Sequence, residues 1–166
     1  DANFFKHGGV DPGGLTRAMF KNIGNLLRGR RFEGGSTITQ QVAKNLLLTN
    51  EVSALRKIRE LVLAFEIEHD FSKDQILEMY LNEIYLGRGA YGVGAASARY
   101  FGKPPAELSL SEAAFLAALP KAPNNYNPVT RPEAARTRRD YVLDRMAQDG
   151  AITAEHRRDY TLVLKG

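Results

Sequence analysis

Three short polar signatures punctuate this chain and constrain its fold more than any other feature. Thr37 with Gln40, Ser72 with Gln75 and Ser109 with Glu112 each place a hydroxyl three residues before a Gln or Glu, just ahead of an apolar-periodic run. That pattern is a capping box, the sequence signature of a helix start. The first predicts a helix to about Leu48. Ser53 predicts a second cap, ahead of "ALRKIRELVLAFEIEHD". Ser72 opens "KDQILEMYLNEIYL", which Gly87 stops, and "AASARYF" reads as a short fourth helix. Ser109 opens "LSEAAFLAAL", ended by Pro120. Pro132 opens a long charged helix closed by Gly150, and Thr153 starts a last one. No stretch alternates as a half-buried strand would. The expected class is mainly α, with "GRGAYGVG" and "PKAPNNYNPVTRP" as loops long enough to carry a site.

A chain of 166 residues with 43% hydrophobic and 25% charged residues is ordinary globular material. It contains no cysteine, which excludes a disulfide scaffold and thiol catalysis. The net charge of +4 suits phosphate-bearing partners or an anionic membrane surface. No apolar run approaches the ~20 residues of a membrane span. The opening "DANFF", without Met, reads as part of something longer.

The polar stretch "GGSTITQQVAKN" combines two glycines with a helix start, whose free N–H groups and dipole suit an anion. Gln40, Gln41 and Lys44 are spaced to share one face, with Ile38, Val42 and Leu46 on the other. The same pattern also describes a well-capped surface helix. In "ALRKIRELVLAF", Leu61 to Phe65 is apolar all round, which predicts burial. Glu60 stands at its edge, with Arg56 and Lys57 four and three residues earlier on the same face. Such a group is either a structural ion pair or a place to hold a pyrophosphate or a catalytic acid.

Gly87, Gly89 and Gly92 have G-x-G-x-x-G spacing, but a helix precedes them where a dinucleotide fingerprint needs a strand. A tight turn is expected instead, with Tyr85 and Tyr91 lining a groove. Between residues 15 and 32, Leu15, Met19 and Ile23 fall at helical spacing among cations that include Arg28, Arg30 and Arg31. This basic amphipathic segment suits a membrane interface. His7, His69 and His156 show no metal spacing, and the cations do not interleave with aromatics as in a nucleic-acid surface.

Together these motifs resemble the peptidoglycan glycosyltransferase domain of the family-51 type. It is found in class A penicillin-binding proteins and monofunctional transglycosylases. "DANFFKHGGVD", "GGSTITQQVAKN", "RKIRE", "EMYLNEIYLGRGAYGVGAAS" and "LSLSEAAFLAALPKAPNNYNP" match its five motifs in order, across nearly the whole chain. The resemblance implies a lysozyme-like α-helical fold, with a large globular lobe and a small membrane-facing jaw at about residues 13–35. It implies one domain over 1–166, within a longer membrane-anchored chain on the outer face of a bacterial cell membrane.

It also implies polymerisation of lipid II into β-1,4-linked glycan strands, with inversion and release of undecaprenyl pyrophosphate. Glu60 would be the second family glutamate, orienting the donor phosphate directly or through a divalent cation, Mg or Mn. Lys44, Arg56 and Lys57 would hold the pyrophosphate. Ser36, Thr39, Gln40 and Gln41 would bind sugar and phosphate oxygens, and Asn82, Tyr85 and Gly92 would shape the cleft. The family's catalytic base, a motif-one glutamate, would stand immediately before Asp1. Further implied partners are the lipid-linked glycan chain, moenomycin-type inhibitors and other cell-wall synthesis proteins, with no nucleic acid. Rival readings are a lysozyme-like hydrolase, whose uncharged substrate would not need the cations around Glu60, and a membrane-peripheral lipid II-binding pseudoenzyme.

Overall fold

The computed structural model describes residues 1, 3–13, 35–47 and 54–153. The expected jaw lies mostly outside them, as do Leu15, Met19, Ile23, Arg28, Arg30, Arg31 and the helix expected after Thr153. Among the described residues the fold is helical, with no strand and one isolated bridge, Tyr85 to Tyr91. A 3₁₀ turn at Phe4–Lys6 is followed by α1 (Ile38–Leu46), α2 (Ala54–Asp70), α3 (Lys73–Glu83), α4 (Gly92–Phe101), α5 (Leu110–Ala118) and α6 (Pro132–Gln148). The chain divides into two compact units, Asp1–Tyr80 and Leu81–Gly166.

All three capping boxes form. Thr37 accepts from the Gln40 N–H and Ser109 from the Glu112 N–H, and each partner side chain reaches back to the cap N–H. Ser72 and Gln75 exchange the same pair of bonds, 2.8 and 3.3 Å long. These local bonds satisfy N–H groups that a helix start leaves without partners.

In the first unit α1 packs on α2, and residues 3–11 lie against both. The Thr37 hydroxyl donates to the Gly9 carbonyl (2.7 Å). A Cβ on Gly9 would stand 3.3 Å from the Ala64 carbonyl oxygen and 3.4 Å from Glu68 Cγ, so this segment runs close over α2.

Three expectations need correction here. The buried face of α1 is Thr39, Gln40, Val42 and Ala43, while Leu46 is exposed. Polar Thr39 and Gln40 go inside because their side chains find partners there, which offsets the cost of burial. Leu61 to Phe65 is not buried all round: Val62 and Phe65 are more than half exposed, in a stripe with Leu55 and Ile58. Only Ala64 of that run is fully buried. Third, α3 ends at Glu83 rather than reaching Gly87.

In the second unit the backbone turns back on itself after Glu83. The Leu86 N–H donates to the Ala90 carbonyl and the Gly92 N–H to the Ile84 carbonyl, both at 2.9 Å. Gly87, Arg88, Gly89 and Gly92 all take positive φ. This is the tight turn expected of the glycine-rich stretch, and α4 starts within it at Gly92 rather than after it. Behind the turn, Tyr100, Phe101 and Phe115 pack with Leu86, Leu116 and Leu119 into an apolar core. The Tyr100 ring meets Phe115 edge-on at 5.4 Å, and its hydroxyl donates to the Leu86 carbonyl (2.8 Å).

Candidate active site

The densest cluster of candidate residues lies along α2 and the start of α1. Glu60 is 2% exposed, held on the rigid second turn of α2. The Lys57 ammonium donates to its carboxylate and also to the Ser36 hydroxyl (3.1 Å). The Lys57 side chain remains 46% exposed, so the cation has one side on the buried acid and one side open. Three candidates are therefore joined by direct contact. Arg56 is half-buried one residue away, and Lys44 projects from α1 into solvent. A buried carboxylate with an exposed lysine and hydroxyl can order a phosphate group, because the acid fixes the ammonium while leaving donors to spare.

Other candidates are committed internally. The Thr39 hydroxyl donates to Glu68 (2.5 Å), and the carboxamide oxygen of Gln40 accepts from the Thr37 N–H (3.2 Å). Gln41 is half-buried on α1 beside them.

The α1 N-terminus holds an anion from this chain itself. The Ile38 N–H donates to one Asp1 carboxylate oxygen, and His7 Nε2 lies 2.9 Å from the other. A carboxylate only accepts, so Nε2 carries the proton, and the buried Nδ1 has no hydrogen-bond partner among the described residues. Burial, reinforced by the Lys73 ammonium, holds the His7 pKa below its ordinary value, against the opposing pull of Glu68 and Asp11. The imidazole is thus a neutral donor at neutral pH, and it ties the segment after Asp1 to the start of α1.

In the second unit Asn82 is exposed at the end of α3, and the Tyr85 ring lies 5.0 Å from that of Tyr91, tilted 44° to it; Tyr91 is 65% exposed. Gly92 owes its place to packing. A Cβ there would lie 2.3 Å from the Asn82 carbonyl oxygen, in a backbone conformation of φ 79°. Only glycine allows that approach.

Among the described residues no three His, Asp or Glu side chains gather to hold a metal ion. Glu60 is a single carboxylate already bonded to a lysine, so the side chains do not build a metal site by themselves.

Residues 1–147, which contain every one of these groups, match the model of the Transglycosylase family. This chain belongs to that family.

The transglycosylase domain is 54% identical to penicillin-binding protein 1A of Rickettsia conorii, over 99% of this chain and 21% of that protein. It is 57% identical to penicillin-binding protein 1A of Aquifex aeolicus, over 93% of this chain and 21% of that one. It also resembles the crystal structure of penicillin-binding protein 1A from Haemophilus influenzae, with a TM-score of 0.55 and 33% identity over 76% of this chain and 16% of that one. The chain spans about a fifth of the length of the curated relatives it matches. No helix among the described residues is long and apolar enough to cross a membrane.

Within this transglycosylase domain, sequence reasoning located Ser36, Lys57 and Glu60 but gave no role to Asp1, His7, Glu68 or Lys73. The first two lie in a motif quoted above and could have been singled out by their types. Glu68 and Lys73 fall between the quoted motifs and carry no local signal.

Proposed function

We propose that this domain polymerises lipid II by inverting glycosyl transfer. The 4-hydroxyl of the acceptor sugar attacks the anomeric carbon of a lipid-linked glycan chain. A β-1,4 bond forms as the bond to undecaprenyl pyrophosphate breaks. The observation that carries this reading is the Glu60–Lys57–Ser36 cluster in a transglycosylase-family domain. A departing pyrophosphate gathers negative charge in the transition state, and preorganised cations and donors stabilise it there. Lys57 is preorganised by Glu60; Arg56 and Lys44 add charge from the same two helices. The attacking hydroxyl needs a general base. By family resemblance that base is a glutamate immediately before Asp1, outside this sequence. Asp1 and His7 would fix its neighbourhood to the α1 start.

Divalent cation use, Mg or Mn, stands as part of the proposal: Glu60 would be the residue to hold such an ion, which would supply further positive charge to the pyrophosphate. The further proposed setting is the outer face of the bacterial cell membrane. There the basic segment at 15–32 would meet the lipid surface, and moenomycin-type inhibitors would compete at the cluster.

The test is incubation of the protein, with its native residues upstream of Asp1, with labelled lipid II, resolving products by size. Long strands that moenomycin blocks are the expected result. Shortening of a preformed glycan would favour the hydrolase, and binding without polymer the pseudoenzyme. In the same assay Glu60→Gln is expected to lower turnover by at least about 100-fold, on the order of 2.7 kcal/mol of transition-state stabilisation. Its circular dichroism is expected to match wild type; unchanged turnover would remove Glu60 from the site.

A further inference from the structure

Two charged residues outside the family motifs sit where three pieces of the proposed site converge. Lys73 opens α3, and its ammonium donates to Glu68 Oε1 (2.7 Å) and to the His7 carbonyl (2.5 Å). It also lies 4.5 Å from the centre of the buried Phe4 ring, a cation–π contact. Glu68, near the end of α2, accepts from Thr39 of α1 through the same oxygen. The side chains are 23% and 9% exposed. One pair thus joins the backbone after Asp1, the buried face of α1, and the helix that carries Lys57 and Glu60. These links are non-local, spanning 29 residues from Thr39 to Glu68 and 66 from His7 to Lys73.

We infer that Lys73 and Glu68 are positioning residues of the transfer reaction. They set the motif-one backbone, residues 3–11, against α1 and α2, and so fix that segment relative to the helix that carries Lys57 and Glu60. The inference rests on the glycosyl transfer reading above. A base and a leaving-group site must be held to well under an ångström, because a 1 Å displacement costs on the order of 100-fold in rate. The contacts suit that task. A lysine bonded at once to a carbonyl, a carboxylate and an aromatic face has little freedom, and the Thr39 hydroxyl, bonded to the same carboxylate, ties α1 to the same point. Substrate binding at Lys57 and Ser36 uses neither residue. The effect of the pair therefore falls mainly on turnover.

The experiment uses the full-length protein in the lipid II polymerisation assay. Lys73→Met leaves Glu68 without its cation in a half-dry setting and could fail to fold. The double variant Lys73→Met/Glu68→Gln removes that unpaired charge and keeps the test open. In the double variant we expect kcat to fall at least about tenfold, with KM within about twofold of wild type. Lys73→Arg, which keeps charge and donors, is expected to recover most of the loss. Amide exchange in residues 3–11 is expected to rise while that of α6 stays as in wild type.

A folded double variant with wild-type kcat overturns the inference. So does a loss carried by KM, or a loss accompanied by faster exchange throughout, with no recovery in Lys73→Arg. If the wild type makes no polymer, the glycosyl transfer reading fails and the proposed effect on turnover fails with it. Exchange in residues 3–11 then still decides whether the pair anchors that segment.

Discussion

The two units of this domain are held together by different physics. In the first, residues 1–80, a network of hydrogen bonds and ion pairs joins distant segments beside buried Phe4, Val42, Ile67 and Ile76: Asp1 to His7 and Ile38, Thr37 to Gly9, Thr39 to Glu68, and Lys73 to Glu68 and His7. In the second, an aromatic and aliphatic core around Phe115 and Tyr100 does the same work. Apolar burial is non-directional and stabilises in proportion to area, so that core tolerates small shifts in geometry. Buried polar networks contribute less net stability but specify positions sharply, because every unmade bond is costly. The unit that carries Lys57 and Glu60 is the one built for precise placement.

Truncating the core of the second unit should have the largest effect on stability. Phe115 is fully buried, and Phe115→Ala is expected to cost about 3–5 kcal/mol in denaturant unfolding. A cost below 1 kcal/mol would mean that this core is not what stabilises the unit. Next comes Gly92→Ala, expected to cost about 1–3 kcal/mol, because it must relieve both a positive φ and the overlap with Asn82. Equal stability of the variant would show that the turn can relax. Ser109→Ala, which breaks a capping box in the same unit, should cost about 1 kcal/mol by thermal melting.

Acid sensitivity, measured as the shift in denaturation midpoint between neutral pH and about pH 5, should follow the first unit. The folded chain holds the His7 pKa below its ordinary 6.5, so the unfolded chain takes up the proton first. Stability from this group is complete above that pH and is lost as pH falls toward the folded value. His7→Asn should shrink the acid-induced shift, whereas Phe115→Ala should leave it as in wild type. An identical shift in His7→Asn would remove His7 as its source. Glu112 in the second unit titrates lower. Burial raises its pKa, but bonds from Lys103 and Ser109 outweigh that and hold it below the usual carboxylate value, so its contribution fades only in stronger acid.

Much of this was legible locally. The capping boxes and the 3.6-residue period fixed where α1, α3 and α5 begin, since a cap and its partner lie three residues apart. The Glu60–Lys57 pair was legible for the same reason. The end of α3 is not legible in the sequence, because Ile84 to Leu86 fit a helix as well as the bridged turn they form with Ala90 to Gly92. Nor is the burial of Thr39 and Gln40, because periodicity counts a polar side chain as outward, whatever partner it finds.

By itself, then, the sequence determined the helical class, the starts of α1, α3, α5 and α6, the family and the acid–cation pair on α2, all written in residues a turn or less apart or in motifs of fixed order. Tertiary structure alone decided that Asp1 supplies the anion at the start of α1. It alone brought Lys73 and Glu68 to the junction of three segments, and left one stripe of α2 exposed. Those outcomes depend on pairings between residues up to 66 positions apart, and a pairing at that distance leaves no periodic trace in the chain.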